Sequence, residues 1–136
     1  MFWCFHCYAL NDHPSGPCDT CGEPVEAPSG LSYADSLIWA LRHPDGDRAV
    51  LAARTLGRLR ARESVQALRK TAQGGKDIYL RAAALRSLLA IEGAEALRPW
   101  LDELSRAGPF NVRAIARQAL DATAEAAAAE SAPPAC

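Results

Sequence analysis

The chain has 136 residues, 49% of them apolar and 23% charged, with a formal net charge of −1. That is room for one domain, or a small domain with an appendage, and the mixture excludes a wholly disordered or collagen-like polymer. No apolar run reaches the roughly 18 to 20 residues that cross a bilayer. Met1-Phe2-Trp3-Cys4-Phe5 opens without a basic segment or a long apolar one and is not read as a signal peptide. Twenty-eight alanines, nearly all after residue 27, favour helix over sheet. The expectation is a soluble, cytoplasmic, mainly helical chain.

Charge and cysteine divide the chain unevenly. Residues 1–41 carry five acids and no Lys or Arg, whereas all fifteen basic residues and eleven acids follow from Arg42 onward, a net +4. Four of the five cysteines and four of the nine aromatics lie within the first 21 residues. The composition changes at Pro28-Ser29-Gly30, a breaker cluster that reads as a hinge. Three segments are expected: a cysteine module over 1–28, helical repeats over 29–123, and an Ala/Pro-rich tail over 124–136.

In the first segment, Cys4-x2-Cys7 is followed after ten residues by Cys18-x2-Cys21. Each C-x2-C turn can present two thiolates to one ion, and two turns complete the tetrahedral shell of zinc. Pro14, Gly16 and Pro17 suit a connecting loop, and Gly22 suits the tight turn after the second pair. Disulfides do not fit a chain without an export signal. A redox C-x-x-C would need the head of a helix in a βαβ unit. Four thiolates leave no open position for water, so the ion, zinc rather than iron, is structural. His6 and His13 are read as surface or packing residues. Phe2, Trp3, Phe5 and Tyr8 are expected to pack onto the first helix, the other reading being an exposed patch for a partner.

Residues 1–27 resemble a short zinc ribbon, a rubredoxin-type pair of knuckles. Pro17-Cys18-Asp19-Thr20-Cys21-Gly22 follows that pattern, while in the first knuckle Tyr8 stands where a glycine usually follows the second cysteine.

The rest of the chain repeats with a period of 32. Arg48-Ala-Val-Leu-Ala-Ala-Arg-Thr-Leu56 falls on Leu80-Arg-Ala-Ala-Ala-Leu-Arg-Ser-Leu88 and then on Val112-Arg-Ala-Ile-Ala-Arg-Gln-Ala-Leu120. Ala52, Ala84 and Ala116 coincide, as do Leu56, Leu88 and Leu120. Leu51, Ala83 and Ile115 share a position, and so do Leu59 and Ile91. Spacing of i, i+1, i+5, i+8 predicts one buried helical stripe. A second series sets Val65, Leu68 and Ala72 on Leu97, Trp100 and Leu104, with Tyr33, Leu37 and Ala40 one period earlier. The reading is a half repeat at about 31–42, two helix pairs, and a half repeat at about 111–127. Ser32, Ser64, Asp77 and Asn111 are expected N-caps. Gly74-Gly75, Gly93 and Gly108-Pro109 are expected stops, with Pro99 near a helix start. The class is all-α, a short α-solenoid of about five helices, whose apolar end the cysteine module is expected to cover.

Leu41-Arg-His-Pro-Asp-Gly-Asp-Arg48 and Leu80-Arg-Ala-Ala-Ala-Leu-Arg-Ser-Leu-Leu-Ala-Ile-Glu-Gly93 resemble bacterial HEAT-like repeats of the phycobilin-lyase type, over about residues 31–123. The resemblance implies stacked helix pairs and a binding scaffold, a chromophore lyase or, with His-Glu pairs, a hydroxylase. His6, His13 and His43 are each followed by a residue other than Glu, and no pattern supports a lyase.

Between Arg48 and Lys70 stand seven basic residues and one acid, Glu63. Arg54 and Arg58 are one turn apart, Arg54 aligns with Arg86 and Arg81 with Arg113, so short arginine ladders could hold phosphate; a solvated helix face is the plainer reading. The acidic cysteine module is itself a candidate partner for that face. Trp39 and Trp100 read as core. Cys136, unpaired and terminal, reads as inert. No nucleophile–base pair, phosphate loop or paired carboxylate emerges, so the expectation is a non-catalytic, zinc-containing adaptor that binds another protein, with neither a membrane nor a small-molecule substrate. Arg69, Lys70, Trp100 and Asp102 are the expected partner face. The alternative is nucleic-acid binding through Arg54, Arg58 and Arg86.

Overall fold

The computed structural model describes residues 1–75 and 77–131. A two-stranded antiparallel ribbon, β1 (Phe2–Trp3) with β2 (Leu10–Asn11), opens the chain. Six helices follow where about five were expected: α1 (Tyr33–Ala40), α2 (Gly46–Leu59), α3 (Val65–Gly74), α4 (Ile78–Glu92), α5 (Ala94–Ala107) and α6 (Phe110–Ser131). The segments read as half repeats at the two ends are each one helix of a full hairpin, so the described residues form three helix pairs rather than two pairs flanked by halves. Cys136 and Pro133-Pro134 lie outside the described residues. Among the described residues, no helix is long and apolar enough to cross a membrane.

Local chemistry sets most boundaries. Ser32 and Asp35 form a reciprocal capping box at α1, and Asp77 caps α4 by accepting from the amides of Tyr79 and Leu80. Asp45 caps α2 through the Asp47 amide. Gly75, Gly93 and Gly108 end α3, α4 and α5, each amide donating to the carbonyl four residues back. Gly93, at φ +80°, closes α4 and opens α5 at once.

Three expectations change. Ser64 precedes α3, but its buried hydroxyl donates to the Ala61 carbonyl at 2.6 Å, because α3 grows out of a 3-10 turn at Arg62–Ser64. Asn111 lies inside α6 and clamps it to α4: its amide donates to the Ile78 carbonyl at 2.5 Å while its oxygen accepts from Arg81 Nε at 3.2 Å. Pro99 is the sixth residue of α5 rather than near its start. Its missing N–H frees the Glu95 carbonyl on an exposed turn, where water can satisfy it.

The helices pack as hairpins α1/α2, α3/α4 and α5/α6, with α2 stacked on α4 and α4 on α6. Leu56, Leu68, Leu85, Leu88, Leu97, Leu101 and Val112 are the largest fully buried core side chains of the array. The α2–α4 contact is built from small residues. Ser87 of α4 donates to the Ala53 carbonyl of α2 at 2.6 Å, and a Cβ placed on Gly57 would meet the Ser87 backbone at 2.9 Å. Gly57 is therefore required by close approach.

The predicted buried stripe is only half realised on α2. Ala52 and Leu56 are buried, whereas Leu51 is 62% and Leu59 52% exposed. Their equivalents on α4, Ala83 and Ile91, are buried because they flank Ser87 on the face that meets α2. No earlier helix lies against that face of α2.

Alanine at position 57 should raise helix propensity but force α2 off Ser87. Gly57→Ala is expected to destabilise the fold by about 1–3 kcal/mol in urea unfolding, while Gly74→Ala, which meets nothing within 4 Å, is neutral or stabilising.

Candidate metal centre and its docking on the first helix

Two knuckles related by an approximate twofold hold the cysteines. In the first, the Cys4 amide donates to the Ala9 carbonyl at 2.8 Å and the Tyr8 amide to the Cys4 carbonyl at 2.9 Å. In the second, the Cys18 amide donates to Glu23 at 2.8 Å and the Gly22 amide to Cys18 at 2.9 Å. The turn needs a positive φ at its fifth residue: Gly22 has +78° and Tyr8 has +61°. Tyrosine thus adopts the glycine conformation, at a cost of about 1–2 kcal/mol.

The four sulfurs lie within 4.8 Å of one another, with Cys4–Cys21 and Cys7–Cys18 Sγ separations of 3.7 Å. A tetrahedral ion with metal–sulfur bonds of about 2.3 Å requires sulfur–sulfur edges of about 3.8 Å. The donor set therefore fits one thiophilic ion. All four are free thiols, Cys4 and Cys18 buried and Cys7 and Cys21 on the surface. Amides point at the buried pair, from His6 to Cys4 at 3.3 Å and from Thr20 to Cys18 at 3.4 Å. The Cys21 and Thr20 amides, with the Asn11 carboxamide, pull the Cys18 thiol down to about 6. The Glu23 amide acts in the same sense on Cys21, but desolvation and the neighbouring thiols push that group up to about 12. The amides and the carboxamide therefore favour the thiolate at Cys18, the form in which a thiol binds a metal.

Asn11 has no signal in the sequence beyond its place seven residues after Cys4. It is 2% exposed and ties the knuckles together. Its amide donates to the Ala9 carbonyl at 3.0 Å and to Cys18 Sγ at 3.5 Å, while its oxygen accepts the Asp19 amide at 3.0 Å. Val25, seven residues after Cys18, performs the mirrored task with its backbone, accepting the Phe5 amide at 2.9 Å. His6 and His13 are not among the clustered donors; His13 contacts Asp19 at 3.6 Å.

Of the four aromatics expected to pack onto the first helix, Phe5 and Tyr8 do so, whereas Trp3 meets only His43 and, with Phe2, stays more than a third exposed. Phe5 stacks on Trp39 at 4.8 Å and 10°, and the Trp39 indole donates to the Phe5 carbonyl. Tyr8 donates to the Trp39 carbonyl at 2.7 Å, and its ring meets His43 edge-on at 4.9 Å. One hydrogen bond and one aromatic pair are worth about 0.5–1.5 kcal/mol each, enough to offset the strained φ of Tyr8. Desolvation pushes the Tyr8 hydroxyl up to about 12, against the pull of Arg42, so it remains a donor at neutral pH. Burial and the nearby Arg48 hold His43 below its usual range, favouring the neutral ring between Trp3 and Tyr8. Among the described residues no ion pair links the module to the helices, so rings and hydrogen bonds carry the docking that charge was a candidate for. Trp39 is accordingly half-buried by the module and flanked by Arg42 at 4.6 Å.

The other sequence-predicted residues do not form one site. Arg69 lies over the Trp100 ring at 5.2 Å and reaches Glu92 at 3.9 Å, with its buried Nε unpartnered. Lys70 faces a different groove, between α1 and α3. Asp102 pairs with Arg106 at 2.7 Å. Arg54 and Arg58 on α2 and Arg86 on α4 are exposed. Arg81 is occupied, bonded to Asn111 and to the Gly75 carbonyl; Arg113 lies over Phe110 at 5.8 Å. Arg81 and Arg113 are thus engaged within their own chain, whereas Arg54, Arg58 and Arg86 are not in an ion pair among the described residues.

The core of the knuckles is small, Cys4, Cys18 and Val25 with the adjoining Ala9, and a module of that size is the kind that an ion helps to fold. One ion per chain is expected by elemental analysis. Chelation should shift tryptophan emission to the red as Trp39 is uncovered, with helical circular dichroism nearly unchanged. Tyr8→Phe should keep the metal yet weaken docking by about 0.5–1.5 kcal/mol, read as faster amide exchange across the knuckles.

Neither a curated protein nor a solved structure matches this chain. The HEAT repeats family matches residues 34–121, from α1 into α6, which is more than half of the sequence. Stacked helix hairpins with a 32-residue period and a match of that extent place the chain in the HEAT-repeat family.

Proposed function

We propose that this chain is a non-catalytic adaptor of a reducing, cytoplasmic setting, in which a zinc-stabilised module (1–28) is fixed to a HEAT-repeat scaffold (29–123) that binds another protein, with 124–136 as an extension. Repeats of this family commonly mediate protein–protein contacts. The observation that carries the reading is a groove of about 1100 Å³ between α1 and α3. Its floor is apolar, from Ile38, Leu41, Ala49, Ala67 and Leu80, and its rim carries Arg42 and Lys70. Asp77, also at the rim, is committed to capping α4. An apolar anchor followed by acidic residues suits that lining. Of the expected partner face, Lys70 belongs to this groove, and the Arg69–Trp100 pair and Asp102 lie outside its lining. Four thiolates in a closed tetrahedron support zinc in a structural role, and a colourless preparation with one zinc per chain is the corresponding measurement.

The test is capture from the host lysate with nuclease present, comparing the native chain with Lys70→Glu and Ala67→Arg. Both variants should retain native circular dichroism and recover at least about tenfold less of the partner, a loss of about 1.4 kcal/mol. Equal capture by both would overturn the groove assignment. Partners that vanish with nuclease would replace protein binding by nucleic-acid binding at Arg54, Arg58 and Arg86.

A further inference from the structure

The repeat exposes an asymmetry between the two ends of the helix stack. On α4, the face that meets the preceding helix carries Ala83, Ser87 and Ile91, and the repeat places Leu51, Thr55 and Leu59 at those positions on α2. Nothing covers them: Leu51 and Leu59 are more than half exposed. At the other end, Ala53 and Gly57, which α2 turns toward α4, correspond on α6 to Arg117 and Asp121, both exposed. The last helix therefore turns a charged surface outward. The first keeps an interior surface with no neighbour.

A second feature is the length of α6. It has 22 residues against 14 in its hairpin partner α5, which leaves about 12 Å of helix projecting beyond the bundle. Over the last three turns of α6, leading into this projection, Ala122, Ala126 and Ala129 line one face at i, i+4, i+7, bordered by Asp121 and Glu125 on one side and Glu130 on the other. All six are exposed.

We propose that the Leu51/Thr55/Leu59 face of α2 docks the projecting end of α6 from a second copy of this chain, giving weak head-to-tail self-association. Small residues are what this fold already uses where helices touch, at Ala53, Gly57 and Ser87. The charges match in spacing as well as sign. Arg54 and Arg58 border the α2 face one turn apart, about 6 Å along the axis, and Asp121 and Glu125 border the alanine face with the same interval. Among the described residues none of these four is in an ion pair within its own chain. A symmetric α2–α2 contact would instead bring Arg54 and Arg58 against their own copies. The surfaces involved are different, so the contact is heterologous and does not close by itself.

Sedimentation equilibrium of the full chain tests this. The weight-average mass should rise above 14.6 kDa with concentration and fall back as salt is added. Arg54→Glu/Arg58→Glu and Asp121→Arg/Glu125→Arg change only exposed side chains, and each should stay monomeric with native circular dichroism. Mixed in equal amounts, the two variants should associate, because the native α2 face of one meets the native α6 end of the other. Leu51→Glu should also abolish association. A native chain that is monomeric up to about a millimolar, association that survives either charge reversal, or a mixture that stays monomeric would each overturn the proposal.

Discussion

The approach of α2 to α4 is the constraint on which the rest of the array depends. A serine hydroxyl bonded to a carbonyl of the next helix, across a glycine with no room for a methyl group, brings the two backbones close. The two helices share one core, in which Leu56 of α2 and Leu88 of α4 are fully buried. Close packing of this kind has little tolerance for added volume. The alanines, which alone would only favour helix, are thereby converted into a packing interface.

The cysteine module is governed by different physics. It has only a small apolar core, so its geometry comes from backbone turns, one carboxamide and four clustered thiols that fit an ion. Asn11 does with a side chain what Val25 does with its backbone. The approximate symmetry of the knuckles is therefore kept in hydrogen bonding and broken in sequence. Tyr8 links this module to the helices. Its left-handed backbone is locally unfavourable, and the same conformation lets its hydroxyl reach the Trp39 carbonyl on α1. Local strain and tertiary docking are thus coupled in one residue.

The ends of a solenoid are where its repeat rule has to be broken, because each repeat expects a neighbour. Here the C-terminal end breaks it with charge at Arg117 and Asp121, and the cysteine module shields only the α1 side at the N-terminal end. Leu51 and Leu59 remain at interior-type positions without an interior.

Much was legible in the sequence by itself. The 32-residue period, the helices, the capping roles of Ser32 and Asp77, the glycine stops and the four clustered cysteines follow from local spacing and backbone preference, which act within a few residues. Trp39 reads as core in the sequence, yet it is only half-buried and takes its cover from Phe5 of the first module, a contact that only the tertiary structure makes. Other features depended on which helix lies beside which. Leu51 and Ala83 read alike in the repeat, yet one is exposed and the other buried, because only α4 has a predecessor. Asn111 looks like a cap and is instead a clamp, since the Ile78 carbonyl and Arg81 happen to lie beside it. Arg69 and Lys70 are adjacent in the chain, yet Arg69 lies over Trp100 while Lys70 lines the α1–α3 groove, because neighbours on a helix diverge by about 100°. A sequence records what each residue can do over one or two turns. Burial and partnership are decided by surfaces that meet across tens of residues, and only the tertiary structure brings those surfaces together.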